Sequence, residues 1–202
     1  MAEFAATGVA DHSGWAILVT VAIDGDDPIL LDVRRAELGE PGLPTMPYEH
    51  ETRGMAADAA DRLIAQVRAA AYANAHAALS RLREDLMPGH RLTAIAIRTP
   101  ALPYLPDSVA DVHASWHTSC RADGVLYHNA ITGAASAMDL ATVTMDRGSE
   151  EGAAAAAVGL ESWRIPPLLR KLGREQRSWT AEHRRAAAAA ICCLRDQDHD
   201  QE

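Results

Sequence analysis

Two imidazoles and a thiol occur at helical spacing in the middle of the chain. His113 and His117 are four residues apart, and Cys120 follows three residues later. If residues 111–120 are helical, the three side chains share one face, and imidazole together with thiolate suits zinc. The β-branched and serine residues between them favour a strand or a loop instead, and no fourth ligand is evident. The segment is therefore a metal site, part of a binding cleft, or a packed loop whose histidines hydrogen-bond locally.

Three acidic residues stand next to predicted turns or at a helix start, and each also has a purely structural explanation. Asp11 precedes a His-Ser-Gly turn, in which its carboxylate can accept backbone N–H bonds. Asp146 precedes Arg-Gly, which is typical of a turn. Glu182 falls in the first turn of a predicted helix, where the helix dipole favours an acid. A role in a site requires that the fold bring these carboxylates together.

The first part of the chain predicts three antiparallel strands. Residues 16–23 are apolar and rich in β-branched side chains, as a buried strand requires. The Asp-Gly pair at 24–25 supplies the positive-φ position of a tight turn, and residues 29–33 return as the next strand. Residues 7–11 form a shorter strand upstream. The pattern indicates a β-meander.

Beyond the meander, helices alternate with strands. Apolar residues recur at helical spacing over residues 56–86, and a Pro-Gly pair ends this helix. Residues 92–97 are apolar enough for a central buried strand. The remaining expectations, in chain order, are an irregular stretch at 99–108, a strand or loop at 109–120, a helix at 123–140, a strand at 141–145, helical residues within 149–163, a helical turn at 168–172 and a final helix at 180–194.

This order of elements resembles the ground plan of the ribonuclease H-like superfamily, and is closest to its Holliday-junction resolvase branch. In that branch the first strand ends in an acid before a Gly-rich turn, as residues 9–16 do here around Asp11. Its last helix opens on acidic residues and continues into Ala-rich sequence, as residues 179–190 do here. The resemblance implies an α/β domain over residues 1–195, with a five-stranded mixed sheet flanked by helices. Residues 196–202 form a polar C-terminal tail.

The chemistry of that superfamily implies carboxylates that converge on two divalent metal ions, magnesium or manganese. The ions stabilise the attacking and the leaving oxygen of a phosphodiester. Asp11 corresponds to the first-strand acid and Glu182 to the last-helix acid. The fourth strand departs from the pattern, because residues 93–99 hold no acid and Arg98 would repel a metal. Asp146, at the end of the fifth strand, is the substitute, so the predicted catalytic and metal-binding set is Asp11, Asp146 and Glu182.

The same fold places residues 113–120 between the fourth strand and the second long helix, on the side of Asp11. Ser13, His113, His117 and Cys120 are therefore the candidate binding residues. Three functions stay open: a non-catalytic or decayed ribonuclease H-like module for binding or assembly, a metal-dependent phosphodiesterase acting on nucleic acid or a nucleotide, and a small-molecule enzyme using the histidines and the thiol. The missing fourth-strand acid favours the first.

Composition limits the partners. The 202 residues carry 19 basic and 28 acidic side chains, a net charge of −9, and so lack the long-range field that attracts nucleic acid or anionic membranes. Nucleic acid would need a local basic strip such as residues 164–177. A homodimer or a protein partner is the other expectation, and the Ala-rich helix faces suit a homodimer and a tight monomer core equally well. Three cysteines make no disulfide framework. Without a visible signal peptide or membrane span, we expect a cytoplasmic protein.

Overall fold

The computed structural model describes residues 3–25 and 27–195 and contains a five-stranded mixed sheet. The strands are β1 Glu3–His12, β2 Trp15–Asp24, β3 Asp27–Glu37, β4 His90–Arg98 and β5 Ala141–Met145. Their order in the sheet is β3-β2-β1-β4-β5. Strands β1 and β3 run antiparallel to β2, whereas β4 is parallel to both β1 and β5. The predicted tail, residues 196–202, lies outside the described residues.

The meander forms because its central strand is apolar and glycines occupy its two turns. Strand β2 is apolar on both faces, and its buried residues contribute alternately to the two cores on either side of the sheet. Gly14 and Gly25 take positive φ angles of 87° and 62° in the two connecting turns, a conformation that glycine adopts without steric cost. The prediction of three antiparallel strands is confirmed, and so is the central position of β4 between β1 and β5.

Helices cover both faces of the sheet. The helices are α1 Ala57–Leu86, α2 Val109–His113, α3 Trp116–Ala137, α4 Glu150–Val158, α5 Ile165–Leu172 and α6 Ala181–Arg195. One face packs on α1 and α3, and α2 packs against these two helices; the other face packs on α5 and α6, and α4 packs against these two. Short helical turns also occur at Pro47–Glu51 and Ser162–Arg164.

The prediction of a strand or loop at 109–120 is wrong, because two serines start helices there. The Ser108 side chain accepts a hydrogen bond from the Asp111 N–H at 3.1 Å and begins α2. Ser115 accepts one from the Thr118 N–H at 3.4 Å and begins α3 seven residues earlier than predicted. These caps satisfy the first backbone donors of each helix, which outweighs the weak strand preference of the β-branched residues.

Helix α6 lies directly against the backbone of β1. A Cβ atom on Gly8 would come within 1.7 Å of the Ala186 carbonyl oxygen, so only glycine permits this approach. The run of alanines at 186–190 is buried against the sheet. This close contact fixes the first turn of α6 beside the carboxyl end of β1, where the candidate site lies.

Candidate functional site

A charged cleft lies where β1, β4 and β5 end. These three strands are parallel, so their carboxyl ends meet at one edge of the sheet, and the first turns of α4 and α6 close the cleft. Its volume is ≈ 260 Å³. Apolar side chains from the strands and α6 line its base. The charged or titratable residues that line it are Asp11, His12, Arg98, Arg147, Glu150, Glu182 and Arg185.

Asp11 is mostly withdrawn from solvent, with a side chain 11% exposed. Its Oδ2 atom lies 3.9 Å from Nδ1 of His128, a buried residue of α3 whose Nδ1 has no hydrogen-bond partner among the described residues. Burial lowers the pKa of His128, while Asp11 opposes that shift and Arg98 adds to it. No backbone N–H of the described chain donates to the Asp11 carboxylate, so the explanation of Asp11 as a turn residue loses its predicted hydrogen bonds.

Glu182 lies beside a histidine that stacks on a tryptophan across the turn between β1 and β2. His12 Nε2 lies 3.2 Å from Glu182 Oε1. The His12 ring stacks on Trp15 with a centroid separation of 3.9 Å, and the Arg35 guanidinium lies 4.0 Å from the Trp15 centroid. The stack orients the imidazole, and the imidazole in turn orients the carboxylate at the first turn of α6.

Asp146 lies outside the cleft. It is exposed, and its Oδ1 accepts a hydrogen bond from the Thr99 hydroxyl at 3.0 Å. The acid on this side of the cleft is Glu150, in the first turn of α4, which is buried. The structure therefore brings Asp11 and Glu182 to one cleft and leaves the third predicted carboxylate out of its lining.

Three arginines from three elements line the same cleft. Arg98 ends β4, Arg147 lies in the turn after β5, and Arg185 lies one turn after Glu182 on α6. All three are exposed, and none of their side chains has a hydrogen bond or ion pair with another residue in the described part of the chain. Of the three, sequence reasoning related only Arg98 to the metal site. The spacing of three residues between positions 182 and 185 could have indicated that Arg185 shares the face of Glu182.

The donors do not fit a two-metal centre as they are arranged. Within residues 3–25 and 27–195, no three His, Cys, Asp or Glu side chains form a group that could hold a metal ion. The lining carries three carboxylates and three guanidinium groups, so it has no surplus negative charge to offset two divalent cations. The roles of Asp11, Asp146 and Glu182 as metal ligands remain a prediction.

The predicted histidine and thiol cluster is divided between two helices. His113 ends α2, and its Nε2 donates to the Tyr48 carbonyl oxygen at 2.8 Å, with the Thr52 hydroxyl 3.3 Å away. His117 and Cys120 lie near the start of α3, and Cys120 Sγ donates to the His117 carbonyl at 3.5 Å. Neither these residues nor Ser13, in the turn between β1 and β2, lines the cleft. Their role in binding stays a prediction.

A buried carboxylate that sequence reasoning missed anchors the loop before α1. Asp123, on the inner face of α3, is 2% exposed. Its two oxygens accept the N–H groups of Tyr48 and Glu49, each at 3.0 Å. Burial raises the pKa of Asp123 to about 6 against the lowering effect of these bonds. One turn later, burial raises the pKa of Tyr127 to about 12, and its hydroxyl has no hydrogen-bond partner within the described residues.

The sheet order and the placement of the helices define a ribonuclease H-like fold. The chain is similar in structure to Thermus thermophilus RuvC, with a TM-score of 0.55, 14% sequence identity and 96% of each chain covered. It is also similar to T. thermophilus RuvC in complex with a Holliday junction substrate, with a TM-score of 0.52 and 15% identity over 94% of this chain and 91% of that one. No protein-family model matches the sequence, and no curated protein is significantly similar to it.

Membrane-spanning helices are absent from the described part of the chain, because none of its helices combines the necessary length and apolar character.

Proposed function

We propose that this chain is a non-catalytic ribonuclease H-like module, which binds its partner at the charged cleft and does not hydrolyse phosphodiester bonds. One observation carries the proposal: Arg98, Arg147 and Arg185 share a cleft with Asp11 and Glu182. Two divalent cations placed beside three guanidinium groups would be repelled by all of them. The three lining carboxylates are matched in number by the arginines and cannot offset the charge of the metals as well.

The pairing of the carboxylates supports the same conclusion. Glu182 is directed to His12, and Asp11 faces His128. In a two-metal site, carboxylates must instead converge so that two ions lie roughly 4 Å apart. In the described chain, each of these two carboxylates instead faces a different histidine.

Nucleic acid is the first partner class to test. RuvC, whose fold is similar, has been solved in complex with a Holliday junction substrate, and the cleft offers three exposed guanidinium groups on a chain whose net charge is −9. Local arginines can hold phosphates where the overall field is repulsive, although such binding weakens steeply with salt. A protein partner or a second copy of the chain is the alternative for an assembly role.

A metal-dependent phosphodiesterase is the second candidate, favoured by the presence of Asp11 and Glu182 in one cleft. No observation favours the small-molecule enzyme, because His113 is engaged by the backbone of the loop before α1.

The two candidates differ in a nuclease assay. We expect the full chain, with magnesium or manganese, to cleave branched, duplex and single-stranded DNA or RNA no faster than its Asp11→Asn variant does. Asp107→Asn, at an exposed carboxyl group outside the cleft, is the matched control. Metal-dependent cleavage that Asp11→Asn abolishes and Asp107→Asn retains would refute the non-catalytic proposal and establish the phosphodiesterase.

A further inference from the structure

In the cleft, the arginines are exposed to solvent, whereas two of the three acidic residues are largely buried. Arg98, Arg147 and Arg185 are exposed to solvent. In contrast, the Asp11 side chain is 11% exposed and Glu150 is 8% exposed. Glu182 is the more accessible acid, and it is paired with His12 at 3.2 Å. The three arginines are therefore more accessible to a ligand in the cleft than Asp11 and Glu150 are.

These arginines differ from the other arginines near the meander. Arg34 pairs with Asp32 at 2.6 Å and with Asp85 at 3.0 Å, and Arg35 pairs with Glu37. The three cleft arginines have no such partner within the described chain. They also come from a strand end, a turn and a helix, so they do not form one solvated helix face. Like charges directed into one cleft repel each other, and a shared anion relieves that repulsion.

We infer that the cleft binds the phosphate group of a phosphomonoester directly, through guanidinium groups and without a metal ion. This inference rests on the non-catalytic function proposed above. Each guanidinium presents a planar fork of donors that matches phosphate oxygens in a bidentate manner. A terminal phosphate carries close to two negative charges at neutral pH, whereas an internal phosphodiester carries one. The dianion therefore complements three exposed guanidinium groups better than a monoanion does, and two of the three lining carboxylates, those of Asp11 and Glu150, are withdrawn from solvent. The two sources of such a group are the 5′ end of a nucleic-acid strand and a free nucleotide or phosphate.

The first experiment measures phosphate affinity without metal. The full chain is titrated with inorganic phosphate in the presence of EDTA, by calorimetry and thermal melting, against sodium chloride at matched ionic strength. We expect saturable binding and a rise in melting temperature with phosphate only. Arg98→Gln and Arg185→Gln should each weaken binding by roughly ten-fold or more, the scale of one charge-assisted hydrogen-bonded pair. Arg62→Gln, at an exposed arginine of α1, is the matched control and should bind as the wild type does.

The second experiment distinguishes the sources. A short oligonucleotide with a 5′ phosphate is compared with the same oligonucleotide without one, and with a nucleoside monophosphate. Tighter binding of the phosphorylated strand than of the monophosphate assigns the cleft to a strand end, and equal binding assigns it to a small molecule. Both results require the phosphate group and support the inference.

Three outcomes would overturn the inference. The first is that phosphate raises the melting temperature no more than chloride does, and the second is that Arg62→Gln weakens phosphate binding as much as the cleft variants do. The third outcome is that the oligonucleotide binds equally well with and without its 5′ phosphate. These results leave the non-catalytic function intact, because that function fails only if metal-dependent cleavage is observed. Conversely, cleavage by a chain that also binds phosphate in EDTA would refute the proposed function while the phosphate site stood. The failures of the two proposals are therefore distinguishable.

Discussion

Asp123 makes the stability of the protein depend on pH in a direction opposite to that of most acids. Its carboxylate is buried, and its pKa rises from the ordinary value of 3.8 to about 6 in the folded chain. Between these values the folded state binds more protons than the unfolded state, so the free energy of unfolding falls as the pH rises. The stability that protonation provides is fully present below about pH 4 and is lost through about pH 6.

The size of this effect follows from the two pKa values. A difference of about 2 units at roughly 1.4 kcal/mol per unit gives about 3 kcal/mol. Other groups titrate over the same range, so the measurement is the difference in unfolding free energy between the wild type and Asp123→Asn, from urea denaturation at pH 4 to 7. Asparagine keeps one acceptor oxygen for the N–H groups of Tyr48 and Glu49 and carries no charge. We expect Asp123→Asn to gain about 3 kcal/mol relative to the wild type as the pH rises.

A constant offset between the two proteins is also expected, because one backbone N–H loses its acceptor in the variant. The pH dependence of the difference is independent of that offset. Asp107→Asn, at an exposed carboxyl group in the loop before α2, controls for the loss of one negative charge. A difference between wild type and Asp123→Asn that stays flat from pH 4 to 7 would refute the reasoning from burial.

Two further predictions concern packing. Gly8→Ala should lower the free energy of unfolding by about 3 kcal/mol or more, because the new Cβ would lie 1.7 Å from the Ala186 carbonyl oxygen and neither backbone segment can move easily. Urea denaturation measures this loss. A loss below about 1 kcal/mol would mean that α6 does not pack on β1 in this way. Tyr127→Phe should leave the free energy of unfolding unchanged or raise it by up to about 1 kcal/mol in the same assay, because it removes a buried hydroxyl that has no hydrogen-bond partner in the described chain. A loss above about 1 kcal/mol would show that the hydroxyl makes a stabilising hydrogen bond.

The sheet was predictable because its signals are local. Turn residues and β-branched runs define the meander, and the apolar strand at residues 92–97 had to be buried on both faces to be stable. The starts of α2 and α3 were not predictable in this way, because the capping serines Ser108 and Ser115 decide them against the preference of the residues around them. Helix caps depend on backbone geometry, which composition does not reveal.

The site was only half predictable for a related reason. Asp11 and Glu182 follow from the strand end and the helix start, and both line the cleft. Asp146 and Glu150 are four residues apart, and the turn between β5 and α4 decides which of them lines the cleft. Asp123 was missed because an aspartate within a helix is usually solvated, and only the tertiary fold supplies the two N–H groups that satisfy it.

The balance of charge in the cleft can be reversed, which tests why the site does not fit a metal pair. Arg98→Glu combined with Arg185→Asp would change the lining from three carboxylates and three guanidinium groups to five carboxylates and one guanidinium. Carboxylates that crowd one cleft repel each other until a cation binds, so the variant should be less stable than the wild type without metal. Manganese at about 100 times its dissociation constant should then add roughly 2.7 kcal/mol, a rise in melting temperature of roughly 5–10 °C for a chain of this size. The wild type should not respond to the same concentration. If the variant does not respond either, charge is not what prevents metal binding, and the spacing of the carboxylates must be the cause.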